Sequence, residues 1–291
     1  MEIGFRAHDF GKFDSVESLA STIETYKKRS QIQLALNKVI PSSPKYSEYT
    51  PEYISSVRDT LREHGVSVAI IGCYINPVHP DPSAREDHLR RFERNLELHE
   101  EFGCRYVGTE TGSANPDCSY NPLTFEEENF SLFLSSVERL LRKAEDVGAV
   151  VTLEAVSRQH TICSAKRMRR VLDTFRSDNL KVIYDPINLT SWLGIEEEDG
   201  SVREKPSKEA VERAVRADLD LLAPDIVAIH AKNYVLDSNG WKIGNKPLME
   251  GVVDWSVIFS LLREYGIDVP ILLENLKPST LKETLLYLDS I

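Results

Sequence analysis

Four hydrophobic runs in the second half of the chain each finish on a residue able to ligate a metal. VVTLE ends at Glu154, KVIYD at Asp185, IVAIH at His230 and PILLE at Glu274. A carboxylate at the end of an apolar run is partly withdrawn from water and needs a partner. Three of them brought to one place would repel one another and raise each other's pKa unless a cation neutralised them. One divalent ion does so, and with a neutral imidazole the set then carries a charge of about -1. Three oxygen ligands and one nitrogen suit Mn2+ or Mg2+, with Co2+ and Zn2+ as further candidates. A lone polar residue at a strand end is ordinarily a helix cap or half of an ion pair. Four in succession carry the metal reading. A metal that chelates a carbonyl and the neighbouring hydroxyl acidifies the C–H between them as a Lewis acid. Glu154 and Glu274, on opposite sides of the substrate, are the expected catalytic pair that removes and returns that proton. The expected chemistry is proton transfer at a carbon next to a carbonyl, as in epimerisation or aldose–ketose isomerisation of a sugar or related polyol, or dehydration where a β-hydroxyl leaves.

For these residues to meet, the runs that carry them must be parallel strands with their C-terminal ends at one mouth. Short apolar or β-branched runs do alternate with segments of helical period along the whole chain, the signature of βα units. The strand candidates are residues 2–7, 32–38, 66–74, 104–110, 149–155, 180–186, 225–231 and 270–276. Amphipathic segments such as PEYISSVRDTLREHG and FEEENFSLFLSSVERLLRKAEDVG lie between them, and several end in the Gly expected at a helix C-terminus, at 65, 103, 148 and 266. Eight strands with eight helices give an α/β fold, a single (β/α)8 TIM barrel spanning residues 1–291 as one domain. A doubly wound open sheet would usually carry a Gly-rich phosphate loop after an early strand, and GFRAHDFG has no GxGxxG spacing.

Composition narrows the partners. No run approaches the ~20 apolar residues of a membrane span, and the start MEIGFRAHDF lacks a basic segment followed by an apolar one. A cytoplasmic protein is expected, with Cys73, Cys104, Cys118 and Cys163 reduced. The net charge of -11 and a pI near 5.2 disfavour polyanions such as nucleic acid. A small sugar or polyol is the expected partner, and assembly into a homo-oligomer stays open.

The segment CYINPVHPDPSAREDHLRRFERNLELHEEFGCRYVGTETG resembles the third and fourth βα units of the sugar phosphate isomerase/epimerase family, the xylose isomerase-like barrels. LEAVSRQH is similar to that family's fifth strand, YDPIN to its sixth, IHAKN to its seventh, GVVDW to the entry of its seventh helix and LLEN to its eighth strand. The resemblance implies one metal ion held by Glu154, Asp185, His230 and Glu274, with Arg158 and His160 meeting substrate hydroxyls. It also suggests Asn188 and Lys232 as substrate-side or supporting groups. Several relatives have an acidic residue after the HxK, where this chain has Asn233, which speaks against a second ion.

Other residues are less specific. His8 follows the first strand and His79 lies after the third, so both are candidates for substrate contact, as is Glu110 at the end of the fourth. His64, His88 and His99 read as solvated or capping residues, and Tyr74, Trp192, Trp241 and Trp255 as core or lid packing. The connection 234–253 is far longer than a usual βα loop of about 2–6 residues and reads as a lid, with Lys242 and Lys246 able to meet an anionic substrate. Two other functions share the fold. An endonuclease IV-like phosphodiesterase would want a His-richer zinc cluster and a basic groove, and a non-catalytic sugar-binding barrel would need neither turnover nor exchange.

Overall fold

The computed structural model describes residues 1–291. Eight parallel strands close on themselves: β1 (Ile3–Arg6), β2 (Ser30–Leu34), β3 (Val66–Gly72), β4 (Tyr106–Glu110), β5 (Val150–Glu154), β6 (Leu180–Tyr184), β7 (Ile226–Ala231) and β10 (Ile271–Leu273). A separate antiparallel hairpin, β8 (Asn233–Leu236) and β9 (Lys242–Lys246), rises from the connection after β7. The expected (β/α)8 barrel is therefore present, with one addition. The second strand begins and ends earlier than expected, because Leu36–Val39 turn into a short helix, α2.

Around the barrel lie α1 (Val16–Tyr26), α3 (Pro51–Glu63), α4 (Pro82–Glu97), α5 (His99–Phe102), α6 (Glu127–Val147), α7 (Ala165–Phe175), α8 (Pro186–Leu189), α9 (Lys208–Leu222), α10 (Trp255–Glu264) and α11 (Leu281–Asp289). Ser15, Thr50, Asp81, Ser164, Ser207 and Asp254 accept hydrogen bonds from the first turns that follow them, which satisfies donors a helix leaves unpaired. Glycines 65, 103, 148 and 266 close the preceding helices in the left-handed conformation, as their spacing predicts.

Two buried clusters divide the interior. The larger packs the outer strand faces against the helices. The smaller consists of Ile70, Ile183, Ala228 and Leu272, from four different strands, and fills the bore. Gly108 faces this plug, where a Cβ would lie 2.7 Å from Ile183 and 2.9 Å from Ile70. Successive strand residues alternate faces, so the residue two positions beyond each plug residue also points inward. Ile183 is followed by Asp185, Ala228 by His230, Leu272 by Glu274 and the buried Thr152 by Glu154. The four ligand candidates thus form the layer above the plug. By the same alternation, Gly4 on β1 brings Arg6, and Gly108 on β4 brings Glu110, to the same mouth.

Candidate functional site

Glu154, Asp185, His230 and Glu274 are all buried. Glu154, His230 and Glu274 each offer a ligand atom, and these atoms lie within 4.8 Å of one another. His230 Nδ1 is 3.1 Å from Glu154 Oε2 and 3.2 Å from Glu274 Oε1. Neither ring nitrogen has a hydrogen-bond partner in line with it, although the side chain is fully buried. Nδ1 thus faces two carboxylates off-line and Nε2 faces none, which leaves part of the desolvation cost of the ring uncompensated. The donor set fits a hard or borderline divalent cation.

Asp185 stands beside this triad. Its Oδ1 accepts the backbone N–H groups of Ile187 and Asn188, both at 2.8 Å, and so caps α8. Its Oδ2 lies 2.8 Å from Lys232 Nζ. Lys232 is also 2.7 Å from Glu274 Oε2 and therefore bridges two of the three carboxylates. Asn188 donates to Glu154 Oε1 at 2.6 Å. Both residues named beside the ligands from the sequence thus touch the ligands directly.

The two glutamates sit in different fields. Burial pushes the Glu154 carboxyl up to about 7; the facing His230 opposes this, and the nearby Glu274 and Glu110 charges add to it. Burial also acts on Glu274, but Lys232, His230 and Arg6 overcome it and hold that carboxyl well below the usual range. Burial would lower the His230 imidazole, yet Glu154 and Glu274 raise it to about 9. The three carboxylates are met by positive charge from Lys232, Arg6 and the His230 imidazole.

Arg6 is a site residue that sequence reasoning missed. Its Nη1 donates to Glu274 Oε1 at 2.6 Å, its Nη2 reaches Asn275 Oδ1 at 3.0 Å, and Asp9 takes the rest of the fork. Asp9 Oδ2 also accepts the N–H of Asn275, which stands at φ 52° in the left-handed region. The available signal was Gly4, two residues earlier on β1, which marks the inward face.

A cavity of about 280 Å³ opens above the triad, lined by Arg6, Glu110, Ser157, Gln159, His160, Asn188, Trp192, Lys232, Lys242, Asn245 and Asn275 among others. His160 is buried, with Nε2 3.7 Å from Glu110 Oε2 and Nδ1 unpartnered. Burial lowers its pKa. Lys242 turns inward from β9 and donates to the carbonyls of Ile187 at 2.7 Å and Thr190 at 2.5 Å. Burial lowers its ammonium to about 7. His8, expected at the substrate, is not among the lining residues; it stands half-buried after β1 with Nδ1 unpartnered, and burial with Arg6 and Lys38 lowers its pKa to about 3.

Arg158 and His79 are not among the lining residues. His79 accepts the Asp81 N–H and packs edge-on against His88, so it stitches its own loop. Arg158 is turned to the aromatic rings above the cavity. His99 is a buried core histidine whose Nε2 bonds the Val147 carbonyl at 2.9 Å, so the solvated reading is corrected. Its ring fills the seam between α5 and the end of α6. Asn233 uses all its side-chain capacity within the chain. It donates to the Leu248 and Val253 carbonyls and accepts the N–H groups of Tyr234 and Val253. A larger cleft of about 330 Å³ lies outside the barrel between α8 and α9, with mainly apolar walls.

A family model described as a xylose isomerase-like TIM barrel matches residues 30–291. No curated protein matches the chain in sequence. Among solved structures, the chain is similar to the 3-keto-D-glucoside 4-epimerase YcjR from E. coli, with a TM-score of 0.68, 17% identity and 100% of both chains covered. It is also similar to the probable 3-DHS dehydratase AsbF from Bacillus anthracis, with a TM-score of 0.69, 16% identity and 99% of each chain covered. A xylose isomerase-like TIM barrel protein from Mycobacterium smegmatis in complex with magnesium has a TM-score of 0.65 and 18% identity, over 97% of this chain and 92% of that one.

Proposed function

This chain belongs to the xylose isomerase-like TIM-barrel family, and from that premise we propose that it is a metal-dependent isomerase or epimerase of a sugar or related polyol. The proton moves at a carbon next to a carbonyl. The observation that carries the reading is the convergence of Glu154, His230 and Glu274, with Nε2 of the buried imidazole unpartnered and Nδ1 facing two carboxylates. These three, with Asp185 beside them, would hold one divalent ion, Mn2+ or Mg2+ by the chemistry of the donors. When bound, the ion supplies Lewis acidity toward a carbonyl oxygen.

The side chains do the rest. Glu154 and Glu274 project from β5 and β10, which lie three steps apart around the ring, so they approach the mouth from well-separated directions. One takes the proton from carbon and the other returns it. Asn188 orients Glu154 through its amide, while Arg6 and Lys232 fix both oxygens of Glu274. His160, Gln159 and Asn245 line the wall where substrate hydroxyls would lie. Sugar-processing neighbours with the same fold support a small-molecule sugar substrate.

The test is solvent deuterium uptake into a panel of ketoses and inososes with the metal-loaded protein. Glu154→Gln and Glu274→Gln should each lower turnover by about 100-fold to 10,000-fold at full metal content. Near-normal turnover in a metal-replete variant removes that glutamate from the mechanism. The dehydratase neighbour favours a second reading, in which the same deprotonation ends in loss of a β-hydroxyl. A dehydrated product without an epimer would select it.

A further inference from the structure

One cation at the mouth has no acceptor in the protein. The Arg158 side chain makes no hydrogen bond and no ion pair. Its guanidinium carbon instead lies 4.7 Å from the ring centre of Trp241, 4.9 Å from Trp192 and 5.1 Å from Tyr120. The chain contains 46 acidic residues, and arginines elsewhere use them, as Arg139 does with Glu86 and Glu93. An arginine surrounded only by rings is therefore placed by stacking, which suits its planar, weakly hydrated head. Its backbone pays for the position with a φ of 64°, a conformation that residues with a Cβ seldom adopt.

The three rings come from three different connections. Tyr120 lies after β4, Trp192 after β6, and Trp241 at the turn of the β8–β9 hairpin, while Arg158 itself follows β5. Two of these contacts lead directly to the cavity. Trp192 lines it and bonds the Ser157 carbonyl through Nε1 at 3.0 Å. Lys242 follows Trp241 and, by strand alternation, points the opposite way, with its ammonium buried against Ile187 and Thr190. Its backbone N–H also bonds the Trp192 carbonyl at 2.8 Å. The ring that grips Arg158 and the lysine that enters the cavity are thus adjacent residues of one hairpin.

We infer that Arg158 is a positioning residue, a cation–π clasp that ties the connections after β4, β5 and β6 to the β8–β9 hairpin and so holds Trp192 and Lys242 against the cavity. This places Arg158 one layer outside the substrate, in place of the hydroxyl contact expected from the sequence. The inference does not depend on which sugar is turned over.

The test is the reactivity of Lys242. The whole chain is pulsed with acetic anhydride and acetylation is read by mass spectrometry, relative to the exposed Lys28 and Lys205. Arg158→Met keeps length but removes charge, and should raise Lys242 labelling about tenfold, the scale of a few cation–π contacts. Trp241→Leu should do the same from the hairpin side, and the double variant should add little beyond either. Arg158→Lys, which keeps a cation, should restore most of the protection. Amide hydrogen exchange in β5 and β6 should stay at the wild-type rate in every variant. Unchanged Lys242 labelling in both single variants overturns the clasp. Faster exchange in β5 and β6 as well would mean that the barrel had loosened, and it overturns the clasp too.

Discussion

The two halves of the barrel mouth are built differently. On the β5–β10 side, Glu154, Asp185, His230 and Glu274 are buried, the carboxylates are met by Lys232, Arg6 or Asn188, and the atoms with neither a hydrogen bond nor an ion pair are His230 Nε2 and His160 Nδ1. On the β1–β4 side, the groups form a stack. Lys38 Nζ lies 3.7 Å over the Tyr74 ring, and His8 meets that ring edge-on at 5.8 Å. Here the unpartnered buried atoms are the Tyr74 hydroxyl and His8 Nδ1. The first set gathers three carboxylates around one imidazole, and the second presents buried polar atoms of the kind that a sugar hydroxyl can meet. We read the halves as an ion side and a hydroxyl side.

The hardest blow to that comparison falls on His230. Wild-type protein should gain about 2.7 kcal/mol of stability at Mn2+ near 100 times its Kd, read as a rise in Tm. His230→Ala should abolish the gain and Asp185→Asn should reduce it. An undiminished gain in His230→Ala would remove the ion from this side. Next comes Arg6, which links the halves. Arg6→Leu leaves Asp9 and Glu274 short of a buried cation and should cost about 3 kcal/mol in urea unfolding. A cost under 1 kcal/mol would mean that Lys232 alone suffices.

Tyr74→Phe sharpens the comparison from the hydroxyl side. It keeps the ring that Lys38 and His8 pack on, and removes an oxygen that no protein group satisfies. Stability should stay within about 0.5 kcal/mol, while KM for the substrate rises about tenfold. A lower Tm with unchanged KM would return Tyr74 to core packing.

Asp218 gives the smallest effect and serves as a control outside the mouth. It accepts from Tyr184 OH at 3.3 Å on the outer face of β6, and burial raises its pKa from 3.8 to about 7. The fold therefore prefers the protonated acid, and stability falls as pH climbs from about 4 to about 7 and is flat above. Asp218→Asn should remove that fall, raising Tm at pH 8 by roughly 2–4 °C with metal binding unchanged.

The ion side was legible because its signal is one-dimensional: four apolar runs each end in a ligating residue, and parallel strands in a barrel bring such ends together. Asn188 and Lys232 came from family resemblance, and in the structure they contact Glu154 and the Asp185–Glu274 pair. Arg6 was missed because an arginine after a short first strand looks like any surface cation until the ring closes and sets it opposite Glu274. The hydroxyl side was harder still, since Lys38, Tyr74 and His8 lie in three separate connections and share no pattern. Arg158 shows the limit of motif transfer. Its position in the fifth connection was right, but its direction depends on rings contributed by three other loops.

Asn233 has a consequence for how such a protein can change over time. The chain leaves the barrel at Asn233 and returns at Val253, and a single amide ties both ends together. Everything in between, hairpin and Trp241 included, is an excursion anchored at its root, so its length and composition can drift without pulling on β7 or α10. Specificity could then diverge by exchange of one cassette. A chimera carrying a relative's segment between these two residues should keep the barrel's Tm and alter which sugars it binds.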